Sequence, residues 1–300
     1  MDLSRTAAPH HFTVDVEEYF QVSALEPYVP RDRWETWPRR LDVGLRVLLD
    51  LLSEHGARAT FFVLGWVAER APGLVREIVE RGHEVASHGS DHRRVTMLTP
   101  GEFRDSVRSS KRILEDVTGS EVFGYRAPSF SITRGREWAL DILVQENYRY
   151  DSSLFPVRRK GYGFLGGGRD PYRLTLGSGI LDEIPPATVN VGRAVFPAAG
   201  GAYFRHLPYA LVRSALLSAE QRGVPGTFYI HPWELDPAQP RLSVPMLTRI
   251  RHYGGLKRTA PRLRRLLSSF RFQPIAETLG LLQNSPPLGD ARASATRRGH

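Results

Sequence analysis

Two imidazoles four residues apart, His88 and His92, come straight after the segment Glu84-Val-Ala-Ser. On a helical turn positions i and i+4 share a face, so both rings can reach one ion at roughly 2.0–2.1 Å. Spacing alone equally admits two surface histidines in a polar loop, and a third ligand decides between the readings. Asp15-Val-Glu17 offers one. The period of two along a strand sends both carboxylates to one face and Val16 and Glu18 to the other. Two acids beside Phe12, Val14 and Phe20 repel each other and lose hydration unless a cation relieves them; the alternative is an exposed strand end with solvated acids.

Three further segments carry chemistry. In Tyr125-Arg126-Ala-Pro-Ser-Phe130, a buried Arg beside an acid would hold a carboxylate ionised, or Arg-x-Pro is a rigid strand exit. Tyr150-Asp151-Ser-Ser and Ile230-His231-Pro-Trp-Glu add an Asp and a His, a recurrent acid/base pairing, although His231 alone could be a satisfied core histidine. Trp233 and Tyr125 are flat walls for a bound ligand or plain core aromatics.

The elements that must position these residues alternate. A strand at 11–17, a helix at 41–55, a strand at 59–64, a helix at about 72–81, a strand at 84–87, a helix at about 100–118 and a strand near 123–125 imply a largely parallel sheet with crossover helices. Over more than 200 residues, that order predicts a barrel or a doubly wound sheet. From about 161 to 203 the rhythm breaks into Gly, Pro and short apolar runs, an insertion of loops and hairpins. A helix at 207–222, a strand at 226–230 and a basic helical stretch around 261–270 follow. Every singled-out residue falls at the C-terminal end of a successive strand, where parallel α/β proteins build their sites.

Composition bounds the chemistry. With 300 residues and no Cys, the chain can bury a sizeable core, and any metal must be held by His, Asp and Glu. The net charge of +9 is concentrated: residues 241–300 hold 12 Arg/Lys against Glu277 and Asp290. With no helix-turn-helix signature and no basic strand interleaved with aromatics, nucleic-acid binding is not expected. The glycines at 166–168 lack the Lys-Ser/Thr ending of a phosphate loop, and no His-Glu-x-x-His occurs. No window approaches a membrane span and no export signal is visible, so a cytoplasmic location is expected, with loose attachment at the inner face of a membrane through the basic end as a further option.

Taken in order, Thr13-Val-Asp-Val-Glu-Glu-Tyr-Phe, Ala59-Thr-Phe-Phe-Val, Gly82-His-Glu-Val-Ala-Ser-His-Gly-Ser-Asp-His, Tyr125-Arg-Ala-Pro-Ser-Phe, Tyr150-Asp-Ser-Ser and Tyr229-Ile-His-Pro-Trp-Glu resemble the polysaccharide deacetylases of the NodB-homology type, carbohydrate esterase family 4. Asp15-Val-Glu-Glu-Tyr-Phe-Gln-Val, Arg126-Ala-Pro-Ser-Phe-Ser-Ile and Gly200-Gly-Ala-Tyr-Phe-Arg-His-Leu-Pro-Tyr look closest to the branch associated with exopolysaccharide and exosortase (PEP-CTERM) loci.

The resemblance implies an α/β fold, an irregular (β/α)7 barrel with a loop and hairpin insertion and a C-terminal extension. One domain would span 8–282, with the insertion at about 158–206, a C-terminal part at about 236–282, and a disordered tail at 283–300. It implies removal of acetyl from N-acetylhexosamine units of a polysaccharide or oligosaccharide by a divalent metal, Zn²⁺ foremost, with Co²⁺, Ni²⁺ or Mn²⁺ as alternatives. His88 and His92 would be ligands, Asp15 the general base held by Arg126, and His231 the general acid oriented by Asp151. The backbone N–H near Ser129 would face the oxyanion. Many members have adjacent aspartates in the first motif, whereas this chain has Val16 after Asp15; strand geometry selects Glu17 as the replacement ligand. Hydrolysis of a cyclic amide or imide, and carbohydrate binding without catalysis, are the rival functions.

Overall fold

The computed structural model describes residues 8–157, 162–164, 166–191, 194–198 and 200–282; the expected tail at 283–300 lies outside them. The first half repeats strand and helix: β1 (His10–Val16), α1 (Leu41–Glu54), β2 (Thr60–Val63), α2 (Gly65–Arg70), α3 (Pro72–Glu80), β3 (Glu84–Ser87), α4 (Pro100–Thr118), β4 (Gly124–Tyr125), α5 (Trp138–Gln145) and β5 (Tyr150–Asp151). Two hairpins follow, β6 (Tyr172–Leu176) with β7 (Gly179–Glu183), and β8 (Thr188–Val191) with β9 (Ala194–Pro197). The chain then forms α6 (Gly201–His206), α7 (Tyr209–Gln221), β10 (Thr227–Ile230), α8 (Met246–Tyr253), α9 (Leu256–Ser269), β11 (Phe272–Gln273) and α10 (Ile275–Thr278).

The sheet runs β10-β1-β2-β3-β4-β5-β7-β6, parallel except for β6, with β11 also on β1. Pro186, just beyond β7, bridges in parallel to Thr227 of β10, so the curl closes between β7 and β10, with β6 left outside. The stretch expected as an insertion thus supplies β7, which pairs in parallel with β5 and is part of the barrel itself. Its Leu181 and Glu183 are fully buried, whereas β6 alternates between half-buried and exposed.

β1 is buried along its whole length. Its alternation therefore separates two interiors rather than core from water. Phe12, Val14 and Val16 pack in the large cluster with Leu45, Leu48 and Leu49 of α1. On the other face Asp15, Phe62 and Ala86 share one register across β1, β2 and β3. Phe62 and Ala86 join Tyr150, Ile184, and Ile275 and Ala276 of α10 in a separate apolar cluster.

Helix boundaries follow local chemistry. Thr99 and Glu102 form a capping box before α4, and Gly119 ends it with φ of 67°. The basic helix begins earlier than its sequence pattern indicates, at Leu256 after Gly255 (φ 77°), and carries Pro261 inside. The proline removes one bond to the carbonyl of Lys257, an exposed residue where water can replace it. Among the described residues no helix is long and apolar enough to cross a membrane.

Candidate active site and metal centre

The C-terminal ends of β1, β3, β4 and β10 open onto one cavity of about 350 Å³, lined by Asp15, Glu17, His88, His92, Ser129 and His231, with Trp233, Tyr229 and Tyr203 among its walls. One donor atom from each of Glu17, His88 and His92 lies within 4.8 Å of the others. All three residues are buried.

The two histidines do not converge on a helical turn, as i and i+4 spacing suggests. They sit in a loop whose Gly89 and Ser90 carbonyls accept the first N–H groups of α2, from Gly65 and Trp66, each at 2.9 Å. His92 takes φ of 58°, a conformation uncommon for a side-chain-bearing residue, and this turns its ring back toward His88, with ring centroids 5.5 Å apart. Arg31 holds the strained segment through the carbonyls of Asp91 (3.1 Å) and His92 (3.5 Å).

The donor set fits a divalent cation. His88 Nδ1 lies 2.8 Å from the Arg126 carbonyl, which must accept, so Nδ1 carries the proton and Nε2 presents its lone pair. Burial pushes the His88 imidazole down to about 4, keeping it neutral and able to ligate despite the nearby Asp15 and Glu17. Glu17 Oε2 is 2.7 Å from His92 Nε2, yet this buried oxygen has no hydrogen-bond partner among the described residues. Burial alone would raise Glu17, but His92, His231 and His88 together draw it down to about 2. A buried, ionised carboxylate with an unsatisfied oxygen beside two imidazoles suits a divalent cation that takes N and O ligands. Glu18 points elsewhere and accepts the backbone N–H groups of Arg40 and Leu41 at the start of α1.

Beside this trio, Asp15 Oδ1 accepts from Arg126 Nη1 at 2.7 Å. Arg126 is fully buried and also donates to Thr13 Oγ1 (2.8 Å), Ser152 Oγ (2.8 Å) and the Ser152 carbonyl (3.2 Å). Its guanidinium stacks over Phe62 at 4.2 Å. Asp15 Oδ2 faces His231 Nε2 at 3.9 Å, and Glu17 Oε1 lies 3.6 Å from the same nitrogen.

The partner of His231 differs from the sequence expectation. Its Nδ1 lies 2.8 Å from Glu234 Oε1, which also accepts the His231 backbone N–H at 3.1 Å. Glu234 Oε2 in turn accepts from Arg205 Nε of α6 at 2.5 Å, and this ion pair is almost wholly enclosed. The other Arg205 donors go to the carbonyls of Arg251 (3.1 Å), His252 (2.9 Å) and Gly254 (2.5 Å). Burial would lower His231, but the bond to Glu234 and the charges of Glu17, Glu234 and Asp15 lift it to about 9. Two glycines permit this assembly: a Cβ at Gly44 would fall 1.9 Å from the Pro232 carbonyl oxygen, and one at Gly200 (φ 151°) 1.7 Å from that of Tyr229.

Asp151, expected to orient His231, is engaged elsewhere. It accepts from Ser153 Oγ (2.6 Å) and the Ser153 N–H (3.2 Å), and pairs with buried Glu183 of β7. Burial pushes both carboxyls up; their mutual bond raises Glu183 further and opposes the rise at Asp151, so the pair holds a proton. Ser153 Oγ then receives the Ala127 N–H at 2.8 Å, which makes the Tyr-Asp-Ser-Ser segment a support for the strand end bearing Arg126. Tyr125 is likewise corrected: it is buried against Phe103 and Tyr148 and lies in the core rather than on a cavity wall. Trp233 does line the cavity, stacked between His231 (5.2 Å) and His252 (4.4 Å), its Nε1–H donating to Glu17 Oε1 at 3.3 Å. Ser129, at φ 56°, lies on the wall with its Oγ 2.7 Å from Ser23 Oγ.

Glu234, Arg205 and Ser152 stood in the quoted motifs without assigned roles. The signal for Glu234 was present, since a carboxylate three residues after a turn-starting position can reach back to its backbone N–H. Nothing in sequence paired Arg205 with it.

Residues 43–143 match the family model described as polysaccharide deacetylase, and residues 152–280 match one described as a domain of unknown function (DUF3473). Curated relatives include a peptidoglycan deacetylase of Helicobacter pylori, 30% identical over 38% of this chain and 38% of its own length. A chitooligosaccharide deacetylase of Bradyrhizobium sp. is 31% identical over 32% of this chain and 42% of its own. The peptidoglycan-N-acetylglucosamine deacetylase PgdA of Listeria monocytogenes is 39% identical over 24% and 16%. The chain thus spans less than half the length of these relatives. A solved structure from Mycobacterium smegmatis bearing the polysaccharide deacetylase name matches with a TM-score of 0.59 at 21% identity, covering 98% of this chain and 96% of that one. Another so named, from Pseudomonas aeruginosa PAO1, gives 0.56 at 15% identity over 91% and 90%. The fold is the curled, largely parallel (β/α)7-type barrel of these structures.

Proposed function

We infer from the family model and the curated relatives that this chain is a polysaccharide deacetylase of the NodB-homology family, and propose that it hydrolyses the acetamide of N-acetylhexosamine units in a glycan. The observation that carries the proposal is the convergence of Glu17, His88 and His92 in one cavity with Asp15 and His231 beside them. A divalent ion bound by the trio, Zn²⁺ in our reading, supplies Lewis acidity at an amide carbonyl and acidifies water.

The chain's own groups do the rest. Arg126 occupies Asp15 Oδ1 and leaves Oδ2 turned toward the cavity, where it takes the proton of the attacking water. The oxyanion rests against the backbone N–H near Ser129, a segment pre-set by its left-handed conformation. His231, held protonated by Glu234, donates from Nε2 to the departing sugar nitrogen, which cannot leave as an amide anion. Trp233, Tyr229 and Tyr203 offer aromatic faces of the kind that sugar rings pack against.

We take residues 8–282 as one catalytic domain, with 236–282 as its C-terminal part. The separate match of 152–280 to its own family model supports a branch with a distinct second half, and an exopolysaccharide as the polymer rests on the sequence resemblance alone. The test is acetate release from a chito-oligomer. Wild type should be active and inactivated by a chelator; Asp15→Asn should lose at least about a hundredfold in turnover while retaining metal. His88→Ala should lower the metal stoichiometry. Asp15→Asn with normal turnover, or ring-opening hydrolysis of a cyclic imide in preference to deacetylation of the sugar, would overturn the proposal.

A further inference from the structure

We propose that α8 docks the protein on an anionic phospholipid surface, next to the mouth of the catalytic cavity. Met246, Leu247 and Ile250 are 75%, 82% and 51% exposed, and at helical spacing they fall within about 100° of arc on one face. Among the other described residues the exposed large hydrophobics stand singly or in pairs: Tyr28, Val43 with Val47, Met97, Ile180, and Val195 with Phe196. Scattered residues of that kind are ordinary on a protein surface, whereas three aliphatic side chains on one short helix form a patch.

Charge selects the occupant. Arg249 and Arg251, both exposed, border the apolar arc on its two sides, and Arg241 lies over the ring of Tyr253 at 4.4 Å. From residue 237 to 276 the sequence holds nine Arg/Lys and no Asp or Glu. An apolar stripe edged by arginines, in a stretch without acids, is the pattern of a helix that lies in a lipid headgroup layer, its aliphatic side chains in the acyl boundary and its cations among phosphates. A second copy of the same face would instead set arginine against arginine.

The helix is joined to the site. Arg251 and His252 line the cavity, and the carbonyls of Arg251, His252 and Gly254 are tied to Arg205, which also holds Glu234. Docking α8 would therefore present the cavity to glycans held at a membrane surface, a property separate from the hydrolysis proposed above.

The experiment is co-sedimentation of the full chain with vesicles of phosphatidylcholine alone or mixed with phosphatidylglycerol. Binding to the mixed vesicles is expected, weakened by salt, with little on phosphatidylcholine. The triple variant Met246→Ser/Leu247→Ser/Ile250→Ser should bind at least about tenfold more weakly, and Arg249→Glu about fivefold or more. Both should keep wild-type melting temperature and wild-type acetate release from a soluble chito-oligomer, since none of these side chains lines the cavity or packs in the core. Absence of vesicle binding, or undiminished binding by the triple variant, overturns the proposal. So does light scattering that finds a wild-type dimer converted to a monomer by the triple substitution, which would make the patch a self-association face. Vesicle binding is read without turnover, so its outcome is independent of whether the chain deacetylates glycans.

Discussion

The cation side of the cavity and the acid side are built differently. On the cation side, Glu17, His88 and His92 follow the ends of β1 and β3, the two strands that flank β2, within 76 residues, and their own donor atoms make the site. On the acid side, His231 owes its state to Glu234 three residues on, to Arg205 on a helix before the strand, and to three backbone carbonyls at the end of α8. A metal accepts few ligand types at restricted distances, so the residues that can serve it form a recognisable pattern. A histidine that must hold a proton can be served by any carboxylate within reach of Nδ1, provided that carboxylate has a countercharge. The first requirement constrains sequence locally; the second constrains only the assembled electrostatics.

The sharpest way to break this contrast is to remove Arg205. Its partner Glu234 is fully buried, so Arg205→Met leaves that carboxylate with His231 alone to balance it and strips three backbone carbonyls of their donor; it should cost about 3–5 kcal/mol of stability, read by urea denaturation. Arg205→Met/Glu234→Gln should recover part of that loss, because the buried carboxylate charge is gone, while still lacking the group that holds the His231 proton. Metal stoichiometry should be unchanged in any variant that folds. If the double variant is as active as wild type, the acid side does not depend on the Arg205–Glu234 pair.

A smaller effect separates the acid's protonation from its placement. Glu234→Gln keeps an oxygen to accept from Nδ1 but removes a negative charge. His231 is raised to about 9 in the fold, with Glu234 among the causes, so its loss lowers the imidazole toward its ordinary value. A general acid works in its protonated form, so activity is present below its pKa and lost as pH rises through it. The alkaline limb of kcat/KM should accordingly move to lower pH in Glu234→Gln, with a loss of about tenfold or more at pH 8 and less at pH 6. A uniform loss at all pH values would mean that Glu234 only positions the ring.

The same contrast explains what could be seen in the chain beforehand. The β1–α1–β2 and β3–α4–β4 order, and a helix over about 100–118, are local patterns and were legible. So was the candidacy of Glu17, because a period of two is a property of one strand. The approach of His92 was legible in outcome but not in cause: it depends on a left-handed backbone held by α2 and Arg31, not on a helical turn. β7 was hidden because its pairing with β5 is fixed by the closing of the barrel, and its sequence Gly-Ile-Leu-Asp-Glu carries a weak alternation. Asp151 was given to His231 because an Asp and a His each ended a strand; the barrel seats Asp151 beside Glu183 and sends Glu234 instead.

That exchange of roles yields the smallest predicted effect. Asp151→Asn preserves an acceptor for Ser153 and supplies a donor to Glu183 in place of the shared proton, so acetate release should change by less than about threefold, as expected of a group remote from the reacting atoms. Stability should respond instead. Burial raises Asp151 to about 6, above its ordinary 3.8, so the folded chain keeps a proton that the unfolded chain releases between these values. The stabilisation is complete below the unfolded value and is lost as pH climbs through about 6. Wild type should therefore lose melting temperature relative to Asp151→Asn between pH 4 and pH 7, with the variant's profile the flatter of the two. A large loss of turnover in Asp151→Asn, confined to alkaline pH, would return this residue to the acid side and erase the distinction between a carboxylate that holds the scaffold and one that holds the proton.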